Sequence, residues 1–165
     1  MVVIRPGRPG DLPRLGAIED SGAETFTAYG QPLADGSPPS PPDQWADALA
    51  AGLLWVADDA AVGPIGFVAG KVTDDGLYIE EVDVVMERQR EGHGRRLMQA
   101  AIDGARDRRL AAVTLTTFRS IPWNAPFYAS MGFDVLEAPT PHLAATLAKE
   151  AASGFEDRCA MRLAL

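Results

Sequence analysis

The sequence predicts an α/β fold of the α+β type, with a mixed, mostly antiparallel central sheet of about seven strands flanked by helices. Three observations predict it. First, three strand-like runs follow one another in the middle of the chain: Leu53 to Ala57, Ile65 to Val72 and Leu77 to Val85. Turn residues separate them, Asp58-Asp59 and Gly63-Pro64, then Asp74-Asp75-Gly76. Apolar runs punctuated in this way make an antiparallel meander. Second, an amphipathic segment, Gly94 to Leu110, joins the last of these runs to the β-branched run Ala112 to Phe118. Strand, helix and strand in this order make a parallel crossover. Third, 165 residues suit a single domain, 1–165, large enough to bury a core without covalent staples. No internal repeat breaks that reading.

The remaining elements follow in order. Val2 to Arg5 reads as a short strand stopped by Pro6. Asp11 can cap a helix, with Leu12, Leu15, Ile18 and Glu19 recurring at helical spacing. Gly30 to Pro42 carries Pro32, Pro38, Pro39, Pro41 and Pro42, and reads as a stiff, irregular connection. Trp45, Leu49 and Leu53 step by four, which predicts a short second helix ending at Gly52. On Gly94 to Leu110, one face carries Leu97, Ala101, Ile102 and Ala105. Ala125 to Met131 reads as a short helix, Phe133 to Leu136 as a strand, His142 to Ala152 as a helix and Arg158 to Leu165 as a last strand.

Composition narrows the function. The formal net charge is −8, which disfavours nucleic acid and anionic membranes as partners, since affinity there comes from basic residues. A single cysteine, Cys159, excludes an internal disulfide, and Cys159 with His93 and His142 is too sparse for most cysteine- or histidine-based metal sites. Cys159 reads as a small buried residue, because no histidine partner is signalled near it. The apolar run at the start is too short for a signal-peptide core, and no stretch approaches the ~20 apolar residues of a membrane helix. The expected compartment is the cytoplasm.

The chemistry concentrates in two stretches. Gln89-Arg90-Glu91-Gly92-His93-Gly94 lies between a strand and an amphipathic helix. Such a loop gathers backbone N–H groups and the positive end of a helix dipole at one point. Its glycines let the backbone approach a phosphate with no Cβ in the way. The residues read as a pyrophosphate site, although the pattern alone also serves a plain chain reversal. A dinucleotide fingerprint would need a small residue where Leu97 stands. A P-loop would need Ser or Thr after Lys71, where the chain has Val72. The second stretch is Trp123-Asn124-Ala125-Pro126-Phe127-Tyr128-Ala129-Ser130-Met131-Gly132-Phe133. Asn124 can cap the short helix or bond a ligand amide, and Gly132 ends it. Tyr128 by itself reads first as a core aromatic with a satisfied hydroxyl.

Together, the two stretches resemble the GNAT superfamily of acetyl-CoA-dependent N-acetyltransferases. The opening Ile4-Arg5-Pro6 with Asp11-Leu12 is similar to that family's usual start, and the likeness runs along nearly the whole chain in the same element order. The family often has proline where Met86 stands and an aromatic where Arg88 stands. The resemblance implies that the strands Leu77 to Val85 and Ala112 to Phe118 splay at the coenzyme site, with the pantetheine arm between them. It implies backbone contacts to that arm from Val84, Val85 and Met86, one N–H polarising the thioester carbonyl. It implies a pyrophosphate held by the N–H groups of Glu91, Gly92, His93, Gly94, Arg95 and Arg96. Asn124 and Phe127 match the family's second signature beside the coenzyme, and Tyr128 matches its tyrosine acid. Acetyl-CoA is the implied co-substrate, and no metal is implied.

Acetyl transfer to an amine needs the neutral amine, so a base or a chain of waters must take a proton at pH 7. The strand beside the site offers Glu80, Glu81 and Asp83. Glu81 and Asp83 share one face and Glu80 takes the other. Glu81 is the first candidate base and Glu80 the second; pairing with arginines or exposure to solvent is the plain alternative for all three. His93, inside the loop, reads as a phosphate neighbour. Trp45, Trp123, Phe26 and Tyr29 read equally as acceptor-pocket walls or as core. The expected activity is direct N-acetylation of a primary amine, small or peptidic, by a monomer or homodimer. The acid-rich composition favours a cationic acceptor. The alternatives are transfer of another acyl group and a non-catalytic acyl-CoA-binding module on the same fold.

Overall fold

The computed structural model describes residues 1–30 and 40–165. Its strands are β1 (Val2–Pro6), β2 (Leu54–Asp59), β3 (Gly63–Thr73), β4 (Gly76–Val84), β5 (Ala112–Phe118), β6 (Asp134–Val135) and β7 (Arg158–Ala164). Its helices are α1 (Leu12–Ala23), α2 (Ala46–Ala50), α3 (His93–Asp107), α4 (Ala125–Ala129) and α5 (Pro141–Ala152). The seven strands form one sheet in the order β1-β2-β3-β4-β5-β7-β6. β1 with β2, β2 with β3, β5 with β7 and β6 with β7 pair antiparallel. β4 and β5 pair in parallel, Leu77 with Val113 and Tyr78 with Thr114. The predicted meander and crossover are thus both present. The proline-rich connection expected over Gly30 to Pro42 lies mostly outside the described residues. No helix among the described residues is long and apolar enough to cross a membrane.

The backbone divides into two compact units, Met1–Lys71 with Ile79–Gly104, and Val72–Tyr78 with Ala105–Leu165. In the first, Leu15 and Ile18 of α1, Trp45, Ala48 of α2, Leu54 and Val56 of β2 and Phe67 and Ala69 of β3 make one buried cluster. The stripe on α3 is buried as its spacing predicts, and Met98 is buried with it. Asp11 does not cap α1. Its carboxylate instead takes two bonds from the Arg5 guanidinium, at 2.7 and 2.9 Å, and one from the Arg8 N–H at 2.8 Å. A forked, charge-assisted pair is stronger than a neutral N–H contact, and Arg5 is placed for it on β1. β1 runs one residue further than expected, to Pro6, which lies opposite Trp55; an edge strand tolerates a residue without an N–H. β2 begins at Leu54, because Leu53 belongs to the turn that follows α2 and donates its N–H to Ala48 O at 2.8 Å.

In the second unit, β5 and β7 pair along all seven residues from Ala112–Ala164 to Phe118–Arg158. α5 covers this sheet with Leu143, which packs with Tyr78 and Ala160. Gly76, at φ +123°, opens β4: a Cβ there would lie 2.1 Å from Ala112 O. α3 stops at Asp107 and not at Leu110. Arg109 turns left-handed at φ +57°, its N–H bonds Arg106 O at 2.8 Å, and the Leu110 N–H bonds Ala105 O at 3.0 Å. That pair of bonds is a Schellman stop, here on an arginine where glycine is usual. α4 also ends early, at Ala129, with the same bond pattern closed by Gly132 and Phe133.

Candidate coenzyme and catalytic residues

The loop that joins β4 to α3 is built to leave its backbone open. Gly92 stands at φ +85°, a conformation that favours glycine. A Cβ at Gly92 or at Gly94 would find no heavy atom within 4 Å. α3 starts at His93 and runs for 15 residues, so its first turn presents N–H groups and the helix dipole at the glycines. That open cradle suits a diphosphate. The acid beside the glycines is compensated within the loop: the Glu91 carboxylate takes a bond from Arg88 Nε at 2.9 Å and lies 3.0 Å from His93 Nε2. Arg88 first, and His93 second, hold Glu91 below the usual carboxylate range. Arg88 also reaches Asp59 at 3.0 Å, which ties the loop to the end of β2. His93 is buried, with its Nδ1 unpaired in the interior. Arg95 and Arg96 are exposed, and Arg96 donates to Val2 O at 2.9 Å.

The end of β4 sets three backbone groups. The Val85 N–H donates to Ile65 O of β3 at 2.9 Å. Val84 O accepts from Gln89 Nε2 at 3.0 Å, and the Met86 N–H donates to Ser21 Oγ at 2.9 Å. Of the three residues expected to meet pantetheine, Val85 therefore turns its N–H toward β3, while Val84 and Met86 present a carbonyl and an N–H to side chains.

The acids of β4 separate by face as the strand period requires. Glu80 lies 3.4 Å from Lys71 of β3, an ion pair at the surface. Glu81 and Asp83 lie on the other face and share a hydrogen bond. Asp83 lies against Gly22 of α1: a Cβ on Gly22 would come within 2.4 Å of Asp83 Oδ1. Burial, then the charges of Glu81 and Glu19, raise the Asp83 carboxyl well above the usual aspartate value. Two carboxyls can share a hydrogen bond only if one keeps its proton. Asp83, whose carboxyl is raised, is the member that holds it. Glu19 of α1 faces the same pair. It accepts from Ser40 and from Trp45 Nε1, and burial raises it too. Glu19 and Ser21 were not among the sequence candidates. Glu19 had a visible sign, an acid standing on the apolar stripe of α1.

In the second unit, Asn124 does not cap α4 with its side chain. Asn124 Oδ1 accepts instead from Thr117 Oγ1 of β5 at 2.8 Å, a buried bond that fixes the amide. Its main-chain carbonyl accepts the Tyr128 N–H at 3.0 Å. Tyr128 is buried, and its ring meets Phe127 and Phe133 edge-on, at centroid distances of 5.1 and 5.9 Å. Trp45 belongs to the core of the first unit, its ring 5.6 Å from that of Phe67, whereas Tyr29 is exposed. Cys159 is buried in β7, and burial pushes its thiol up, away from the reactive thiolate.

Residues 22–133 match the family model described as the acetyltransferase (GNAT) family. The chain belongs to that family; it is an acyltransferase, and acetyl-CoA is its co-substrate. Solved structures share the fold. The ribosomal-protein-S18-alanine N-acetyltransferase from Escherichia coli is 22% identical at TM-score 0.71, over 99% of this chain and 94% of that one. The Rv2747 protein from Mycobacterium tuberculosis, solved with CoA, is 20% identical at TM-score 0.72, over 99% of each chain. The PaiA N-acetyltransferase from Thermoplasma acidophilum, solved with coenzyme A, is 16% identical at TM-score 0.69, over 100% of this chain and 99% of that one.

Proposed function

We propose that the chain, acting as one acetyltransferase domain, transfers the acetyl group of acetyl-CoA directly to a cationic primary amine, small or peptidic. The observation that carries the proposal is the carboxyl pair Glu81–Asp83 on β4, two hydrogen-bonded acids on one face of the strand, in which the Asp83 carboxyl is raised well above the usual aspartate value. Acetyl-CoA supplies an activated thioester. The chain's residues supply position and proton transfer. The Gly92–Gly94 loop and the first turn of α3 hold the diphosphate. Glu81, directly or through a water, takes the proton that the amine must lose before it attacks. Glu80 ranks second as base because Lys71 already compensates its charge. Tyr128 gives its proton to the leaving thiolate as the C–S bond breaks and is reprotonated by the second proton the nitrogen sheds, so that a cationic amine and a thioester become an amide, a free thiol and the one proton that Glu81 passes to solvent. Asn124 and Phe127, beside Tyr128 in the family's second signature, complete the coenzyme contacts.

A cationic acceptor follows from the same acids. Glu19 and Glu81 both act on Asp83 through their charges, and a positive amine is drawn to such an acidic face. The test is free-thiol release from acetyl-CoA across an acceptor panel at low and high salt. Polyamines and aminoglycosides should outrun neutral aromatic amines and acidic amino acids, with the advantage shrinking as salt rises. Faster release with acidic acceptors would overturn the acceptor class. Release no faster with any amine than without one would overturn the catalytic reading.

A further inference from the structure

The Val85 N–H turns to β3 and donates to Ile65 O, while the flanking Val84 O, at the end of β4, and the Met86 N–H, at the start of a 3-10 turn (Met86–Arg88), meet other partners. A carbonyl and an N–H two residues apart on one edge are what a parallel partner uses: its N–H bonds the carbonyl and its C=O accepts the N–H. In this structure two side chains meet those groups. Gln89 Nε2 is the donor to Val84 O at 3.0 Å, and Ser21 Oγ is the acceptor for the Met86 N–H at 2.9 Å. One amide N–H and one hydroxyl oxygen, from two different elements, thus stand where a parallel partner would place an N–H and a C=O from two successive amide groups.

We propose that Ser21 and Gln89 occupy backbone groups at the end of β4 where two successive amides of the pantetheine arm are read, the N–H of one at Val84 O and the C=O of the next at the Met86 N–H, so that Ser21 and the coenzyme compete for the Met86 N–H. The proposal rests on the reading of Val84 and Met86 as a coenzyme-binding edge. Competition follows from the donor, since an N–H gives one strong bond at a time. Exchange is cheap for both side chains. Ser21 moves one hydroxyl, and Gln89 is long and flexible. The competition also couples helix to coenzyme. Ser21 precedes Gly22, the residue that seats Asp83, so a coenzyme that releases Ser21 loosens the turn of α1 that packs on the carboxyl pair.

The test uses the full chain, coenzyme A as probe, calorimetry for affinity and NMR amide exchange at Met86. Ser21→Ala should bind coenzyme A about two- to tenfold more tightly than wild type, the range one net hydrogen bond covers. Its Met86 amide should exchange fast alone and slowly with saturating coenzyme A. Ser21→Thr, which keeps the hydroxyl, should return affinity toward wild type. Unchanged or weaker binding by Ser21→Ala, with the Met86 amide still protected by coenzyme A, would overturn the competition and leave the coenzyme edge standing. A Met86 amide that stays unprotected at saturation would overturn the coenzyme edge and the competition with it.

Discussion

Gly22→Ala tests the seating of Asp83 through a change of sign. Gly22 is buried near the end of α1, with Asp83 Oδ1 2.4 Å and Cγ 2.9 Å from where an alanine Cβ would stand. Real Cβ contacts essentially never fall under 3.0 Å, so the carboxyl or the helix must shift. Overpacking of this kind costs about 1–3 kcal/mol. Against it, alanine stabilises a helix by about 1 kcal/mol relative to glycine. The net expectation in the wild-type background is a loss of up to about 2 kcal/mol. In an Asp83→Ala background the clashing atoms are gone, and the remaining contact, Asp83 Cβ at 3.5 Å, is ordinary. There Gly22→Ala should stabilise by about 0.5–1 kcal/mol. Urea midpoints of the four proteins close the cycle. If Gly22→Ala has the same sign in both backgrounds, Asp83 is not seated on Gly22 and the carboxyl pair loses its support.

Tyr128→Phe should keep the fold and coenzyme affinity while turnover falls about 10²–10⁴-fold, the usual loss for one general acid; an unchanged kcat in the thiol-release assay would return Tyr128 to a packing role. Asp83→Asn should change how stability depends on pH. The native Asp83 keeps its proton to higher pH than the unfolded chain does, so wild-type stability falls as pH rises from about 4 through the raised native value. The asparagine lacks that loss, so its melting temperature relative to wild type should climb from pH 4 to pH 8; a flat or falling difference would show that Asp83 is not held neutral. Gly76→Ala should destabilise by at least about 2 kcal/mol in urea, because it meets Ala112 O at 2.1 Å and must adopt φ +123°; a loss under 0.5 kcal/mol would contradict the close pairing of β4 and β5 there.

Most of the fold was legible because its signals are local. The turn Asp74-Asp75-Gly76, the stripe on α3 and the stop at Gly132 each act within a few residues, and each appears where it was expected. Misreadings occurred where a distant residue took over a local role. Asp11 would cap α1 if Arg5 were not beside it on β1, and Asn124 would cap α4 if Thr117 did not claim its amide oxygen. The ladder that brings Arg5 opposite Val56 is not visible in a short window of sequence. The candidate site divides in the same way. The glycine loop and the Tyr128 helix are contiguous motifs. The two-residue strand period correctly put Glu81 and Asp83 on one face and Glu80 on the other. What stayed hidden is what α1 brings to that face: Glu19, Ser21 and the empty side-chain space at Gly22, some sixty residues away in sequence.

The central claim is that the open backbone at Gly92–Gly94 holds the coenzyme's diphosphate, and calorimetric titration of acetyl-CoA into wild type, Gly92→Ala and Gly92→Glu tests it most directly. A side chain at Gly92 has room, since nothing lies within 4 Å of its Cβ, but it carries the strain of φ +85°. Circular dichroism melts therefore first establish that both variants are folded. Gly92→Glu sets a negative charge against the diphosphate and should weaken binding at least ~10-fold, about 1.4 kcal/mol, while Gly92→Ala loses less. Wild-type affinity in a folded Gly92→Glu protein would contradict the account.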